Sequence, residues 1–181
     1  MSRLSREAWL DHALDRLRAD GFTSLKADPL AKSLGVSRGS FYWHFEDLAV
    51  FHGAVLEHWL QVSVLSVVEQ LESNGLAPAD RLQSLIETAA AGSRDLERAV
   101  RAWSLADPAV REAVELVDQQ RIAYLEQLFA ELGVAKKERT TRALRLYLAS
   151  LGWSMVSDAV SVDDMRPVID SVLADALRKL R

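Results

Sequence analysis

The stretch "LAKSLGVSRGSFYWHF", Leu30 to Phe45, decides the fold. Its first part can be helical only as far as Leu34, because Gly35 breaks the run. After a two-residue turn, Ser37 is placed to cap a second short helix reaching Phe45. Two helices of about two turns each cannot bury themselves. They need a third element to lean on, and Leu30, Ala31, Leu34, Val36, Phe41 and Phe45 supply an interior at the spacings that close such a unit. Ala31 is small, as a close helix crossing requires. Helix, tight glycine turn, helix is the helix-turn-helix pattern, in which the second helix is presented to the major groove of DNA.

Upstream, Leu4, Ala8, Trp9, Ala13, Leu14 and Leu17 recur at three- and four-residue spacing, which predicts a helix starting near Ser5 and stopping at Gly21. In "KADPLAKSLGVS", Asp28 is placed to cap the next helix and Pro29 to occupy its first position, where a missing N–H costs nothing. Downstream of Asp47 the pattern changes to long helices. Phe51, Val55, Leu56, Trp59 and Leu60 lead into Val62 to Leu71; further helices are predicted from Pro78 to Gly92, through "SRDLERAVRAWSLA", from Pro108 to Gly133, and from about Lys136 to Val160. The last helix carries a stripe of Met165, Val168, Ile169, Val172, Leu173, Ala176, Leu177 and Leu180. No strand-like alternation interrupts these periods. The expected fold is all-α, with a three-helix head at 1–46 and a larger helical body at 47–181 for ligand binding and dimerisation.

At 181 residues, with 49% hydrophobic and 27% charged positions, the chain can bury a sizeable core. The absence of cysteine excludes disulfides, thiolate metal sites and cysteine nucleophiles. Read residue by residue, no apolar run approaches the roughly 20 residues that cross a bilayer, and charges interrupt "MSRLSREAWLDHALDRL" where a signal peptide needs an apolar block. The expectation is a soluble, cytoplasmic protein without a membrane partner. The net charge of −4 is unevenly placed: residues 1–50 hold seven basic and seven acidic side chains, and the rest hold fifteen and nineteen. A neutral head suits DNA only if its cations are gathered on one face.

These residues resemble the TetR family of bacterial one-component regulators. The specific part is Leu30 to Phe45, with its "GVS" turn and its Tyr and His among aromatics; "AVRAWSLADPAVREAVELVDQQRIAYLEQLF", Ala99 to Phe129, is similar to a subset of the same family. The resemblance implies a homodimer with two DNA-binding heads and a helical body that takes a small molecule and then releases DNA. One departure stands out. Where the family often has a phosphate-binding lysine at the start of the fourth helix, this chain has Leu48, preceded by Glu46 and Asp47. Losing one phosphate contact flattens the salt dependence of binding by about one charge.

On the second short helix, Phe41 and Phe45 are four apart and point inward together. Arg38 in the first turn can reach a guanine edge, Gly39 allows close approach of the backbone, and Ser37 and Ser40 can donate to phosphates or bases. Tyr42 and His44 are placed to reach phosphates, and Trp43 offers an apolar face to a thymine methyl; the alternatives are a Trp43 packed on the first helix and a His44 that caps its own helix. Lys26 and Lys32 can neutralise phosphates, with Arg3 and Arg6 as a basic arm.

In the body, His58, Trp59, Trp103, Gln120, Tyr124 and Trp153 are the candidates for a ligand cavity, with Trp103 and Trp153 leading and His58, Gln120 and Tyr124 as orienting polar groups. Histidines 12, 44, 52 and 58 lack metal-like spacing, and neither a metal nor a cofactor is expected. The terminal stripe, with Leu144, Leu148, Leu151 and Met155, is expected to pair with its copy about a two-fold axis. The functional expectation is a regulator, most simply a repressor, that binds a palindromic double-stranded operator and is released by a small apolar or amphipathic effector. Two alternatives are a TetR-like head that has lost operator binding and acts through protein partners, and a helical-bundle enzyme. The second finds no nucleophile–base pair in the sequence.

Overall fold

The computed structural model describes residues 4–92, 94–156 and 160–177. Among them there is no strand. The helices are α1 (Arg6–Asp20), α2 (Ala27–Ser33), α3 (Arg38–His44), α4 (Leu48–Leu60), α5 (Ser66–Ser73), α6 (Pro78–Ala91), α7 (Arg94–Ser104), α8 (Pro108–Glu131), α9 (Lys136–Met155) and α10 (Val162–Leu177). The fold is all-α. Two compact units divide it, one of Met1–Ser63 with Asp95–Glu115, the other of Val64–Arg94 with Leu116–Arg181.

In the first unit, α1 begins as its sequence predicts: the Ser5 hydroxyl accepts from the Ala8 N–H at 3.1 Å, and Gly21, at φ 74°, ends the helix. One face of α1 buries Trp9, Leu10, Ala13, Leu14 and Leu17. Phe41 is fully buried, with the rings of Trp9, Phe45 and Phe51 at 5.6, 5.3 and 5.0 Å between centroids. Because Phe41 comes from α3, Trp9 from α1 and Phe51 from α4, this aromatic cluster locks the recognition helix onto two others.

The caps differ from expectation at two places. Helix α2 starts at Ala27, so Lys26 is the capping residue and Asp28 lies inside the first turn. The Lys26 carbonyl accepts from Leu30 at 3.2 Å, and burial of Ala27, Leu30 and Ala31 fixes the start two residues earlier than the Asp-Pro signal suggests. Ser37 does precede α3 in an extended conformation, but its side chain makes no capping bond.

Helices α4 and α5 are joined by a π turn at Gln61–Leu65, so a continuous helix runs for 26 residues from Leu48 to Ser73. By length and composition alone it could cross a membrane, which corrects the expectation of no such run: its single charges are too widely spaced to break the average hydropathy. Its apolar residues nevertheless serve the fold. Phe51, Val55 and Trp59 are buried in the first unit and Leu71 in the second.

The second unit closes around Leu82 of α6, Leu128 and Phe129 of α8 and Ala143 and Leu146 of α9. Between α8 and α9 the chain turns at Gly133 (φ 79°), where Val134 N–H bonds to Phe129 O at 2.9 Å and Gly133 N–H to Ala130 O at 3.0 Å. Arg81, buried on α6, bonds to Glu72 and Glu131, and the Tyr124 hydroxyl donates to the same Glu72 at 2.8 Å. Burial draws the Arg81 guanidinium down, but the hydrogen bond and charge of Glu131, then those of Glu72, outweigh it and the net shift is upward. Burial first, and then Glu72, push Tyr124 up to about 12. Helix α9 stops at Met155, short of the expected Val160, where Val156 turns extended; low helix propensity of a Val-Ser-Asp run fits that stop.

Candidate nucleic-acid interface

The turn between α2 and α3 has the hydrogen-bond pattern of a left-handed glycine cap. Gly35 lies at φ 67°, its N–H bonding to Lys32 O at 3.2 Å, while Val36 N–H reaches Ala31 O at 3.0 Å. A side chain at position 35 would hold the backbone in a conformation that L residues rarely adopt, so glycine is required there.

That turn sets the faces of α3. Phe41 and Phe45 are 0% and 1% exposed, whereas Tyr42 is 44% and Trp43 63% exposed. Arg38, Gly39, Tyr42 and Trp43 stand at i, i+1, i+4 and i+5 and form one continuous exposed stripe, bordered by Phe41, whose ring meets that of Tyr42 at 5.2 Å. Ser37 is exposed beside it, and Ser40 is half-buried. The Trp43 ring is therefore turned outward rather than packed on α1. At Gly39 an added Cβ would meet only Ser37 Oγ, at 3.6 Å, so the fold itself does not demand glycine at this position.

Arg38 is held in place. Its Nη2 donates to the Tyr42 hydroxyl at 3.2 Å, its guanidinium lies 5.4 Å from the centre of the Tyr42 ring, and its Nε is 3.4 Å from Asp28 Oδ1. The Tyr42 hydrogen bond first, and then the Asp28 charge, raise the guanidinium above its ordinary value. The sequence carried no sign of the Asp28 contact, since the two residues are ten apart and meet only because the turn brings the first turns of α2 and α3 together.

Each of the four histidines ties two segments of the first unit. His44 Nε2 is 2.9 Å from Leu4 O, His52 Nε2 2.9 Å from Leu25 O, His12 Nε2 2.6 Å from Ser33 Oγ, and His58 Nε2 2.6 Å from Asp11 Oδ1. His44 thus bonds back to the start of α1 through one ring nitrogen. Among the described residues no cluster of His, Asp or Glu is arranged to hold a metal ion.

Asp47 has a role that the sequence reading missed. Its carboxylate accepts from Val50 N–H at 2.8 Å and caps α4, so one of the two acidic residues flanking α3 is engaged with backbone donors. An Asp just ahead of an apolar periodic run was the available signal. Leu48 takes the first position of α4 and is 37% exposed. Lys26 and Lys32 are exposed on α2 and its cap; Arg6 lies over the Phe45 ring at 5.4 Å, and Arg3 is outside the described residues.

The candidate ligand residues fall into both units. His58, Trp59 and Trp103 belong to the first, where Trp103 stacks on Phe22 and takes the edge of His52 at 5.1 Å. Gln120, Tyr124 and Trp153 belong to the second. There Gln120 is half-buried, the Tyr124 hydroxyl is engaged with Glu72, and the Arg94 guanidinium sits 4.4 Å above the buried Trp153 ring. The Trp153 indole Nε1 is buried without a hydrogen-bond partner among the described residues.

Residues 10–47, spanning most of α1 through the α4 cap, match the model of bacterial regulatory proteins of the tetR family. The likeness to that family therefore lies in the head. A curated relative, the HTH-type transcriptional regulator AcrR of Shigella flexneri, is 35% identical over 83 residues, which is 46% of this chain and 37% of the relative. The chain thus aligns with little more than a third of that relative's length. Solved structures share the fold over nearly the whole chain: Escherichia coli NemR in its reduced form superimposes with a TM-score of 0.70 at 22% identity, covering 94% of each chain. A TetR-like regulator from Rhodococcus gives 0.69 at 18% over 98% of each chain, and the fatty acid degradation regulator FadR of Bacillus halodurans 0.67 at 16% over 99% of each. At such identities these likenesses concern the fold. The family match thus concerns the helix-turn-helix head, residues 10–47, and beyond it the likeness is one of fold.

Proposed function

We propose that this regulator is a repressor that binds a palindromic operator as a homodimer and is released by a small apolar or amphipathic ligand. Residues 1–46 form its DNA-binding domain and 47–181 its ligand-binding and dimerisation domain. The observation that carries the proposal is the two-sidedness of α3: its phenylalanines are buried, and Arg38, Gly39, Tyr42 and Trp43 form a solvent-facing stripe that suits a major groove. Lys26, Ser37, Ser40 and His44 flank that stripe in sequence and contact the DNA backbone.

A single seven-residue helix binds DNA weakly, and two heads about one helical turn apart, roughly 34 Å, supply affinity and palindrome specificity. Exposed Leu144, Leu148 and Met155 on α9 and Val168 on α10 favour pairing of these helices with a second copy. Within the expected stripe, Leu173 packs on its own unit's core, and the side chains of Met165, Ile169, Val172, Ala176, Leu177 and Leu180 lie outside the described residues. The effector is held by a subset of His58, Trp59, Trp103, Gln120, Tyr124 and Trp153. The site of action is the cytoplasm. Release requires that the ligand prefer the conformation that does not bind DNA.

Fluorescence anisotropy with duplexes tiling the DNA beside the protein's own gene tests this. The expected result is a salt-sensitive complex, two chains per duplex, on one palindromic segment. Equal binding to every segment, or none at moderate salt, refutes it.

A further inference from the structure

We propose that Asp28 sets the operator specificity of this head by restraining Arg38, an inference that rests on the operator-binding reading above. The arginines described in the head are all engaged within it. Arg16 pairs with Asp20 and Arg18 with Asp15, both along α1; Arg6 lies over Phe45. Arg38 differs, because its ion pair with Asp28 joins the two helices of the helix-turn-helix.

The pair does little for the fold. Its side chains are 62% and 66% exposed, and contacts of that kind contribute little to stability. Asp28 does not cap α2 either, since Lys26 holds that position. What the pair does is set a condition on DNA binding. To reach a base, Arg38 must leave the Asp28 carboxylate and the Tyr42 hydroxyl. A guanine edge returns two hydrogen bonds through O6 and N7 and so replaces both contacts. Sequences without guanine at that step return nothing comparable. There the guanidinium stays with Asp28, the pair presents no net charge to the phosphates, and non-specific affinity is held down. Specificity is a difference between two affinities, and a contact that weakens the wrong complex more than the right one widens it.

The test compares wild type, Asp28→Asn, Asp28→Ala, Arg38→Ala and the Asp28→Asn/Arg38→Ala double variant in the full chain. Affinity is measured at several salt concentrations on an operator duplex and on a duplex with scrambled half-sites. Asp28→Asn is expected to tighten scrambled binding by roughly fivefold and operator binding by less than about twofold. The salt slope on the scrambled duplex should steepen by about one charge. Asp28→Ala should behave alike, with both variants unfolding at the wild-type temperature. In the Arg38→Ala background Asp28→Asn should no longer alter the specificity ratio. A ratio unchanged by both Asp28 substitutions, or a change that persists without Arg38, overturns the proposal. A wild-type protein that prefers the operator while the Asp28 variants keep the same ratio defeats this inference alone; a wild type with no operator preference defeats the operator reading and this inference with it.

Discussion

Phe41 and Trp43 are two residues apart on the same short helix, and their replacement by alanine should have opposite signatures. Phe41 is 0% exposed and touches four other rings, those of Trp9, Tyr42, Phe45 and Phe51, at 5.0 to 5.6 Å. Truncating a buried Phe costs about 3–5 kcal/mol, and aromatic pairs add about 0.5–1.5 kcal/mol each beyond burial, so Phe41→Ala belongs at the upper end, near 5 kcal/mol. Against total stabilities of about 5–15 kcal/mol, that is a large share, and it falls on the cluster that holds α1, α3 and α4 together. Trp43, at 63% exposure, should cost about 0.5 kcal/mol or less in stability. Its loss should instead weaken operator binding, by about tenfold if an apolar base contact of roughly 1.4 kcal/mol is removed. Urea unfolding followed by far-UV circular dichroism, hydrogen exchange of the α3 amides and anisotropy on operator DNA measure all three quantities. Phe41→Ala should lower the urea midpoint and erase α3 protection; Trp43→Ala should leave both intact and loosen the complex. If Trp43→Ala destabilised the protein as much as Phe41→Ala, or if Phe41→Ala left the midpoint unchanged, the assignment of faces on α3 would be wrong.

Gly39→Ala should stabilise α3 by up to about 1 kcal/mol, because there is room for a Cβ and alanine is the better helix former, yet it should weaken operator binding; gel shift and thermal unfolding on one sample separate the two, and unimpaired binding would show that the backbone does not approach DNA there. Asp47→Ala removes the α4 cap and should cost about 1 kcal/mol in chemical unfolding. If Asp47 acted only by repelling DNA, its removal would leave stability unchanged. Tyr124, raised from 10.0 to about 12, favours its protonated form in the folded chain. Its contribution, roughly 3 kcal/mol, is fully present below pH 10 and is lost as pH rises through about 12. Wild type should therefore lose stability between these pH values faster than Tyr124→Phe, as followed by urea midpoints. Parallel curves for the two proteins would contradict the burial of that phenol beside Glu72.

Helix positions were legible in the sequence because apolar periods and glycine stops act locally. Gly21, Gly35 and Gly133 end their helices where their positive φ values place them. The inward turn of Phe41 and Phe45 was equally readable, being a matter of four-residue spacing. Capping was less so. Asp28 looked like a cap from its proline neighbour, but burial of Ala27 decided where α2 starts, and burial depends on residues far along the chain.

The candidate site divides in the same way. Sequence alone determined that this chain is all-helical, carries a helix-turn-helix head and turns Phe41 and Phe45 inward, because each of these follows from apolar spacing along the chain; that Trp43 faces outward was decided by the structure. Only the tertiary structure decided that Arg38 is held by Asp28, that His44 is tied to Leu4, that Tyr124 shares Glu72 with Arg81, and that the ligand candidates belong to two separate units. Those facts depend on which helices meet. Meeting is set by the burial of whole faces, whereas hydrogen bonds and ion pairs between exposed or half-exposed groups follow from that packing and leave no periodic trace in the sequence.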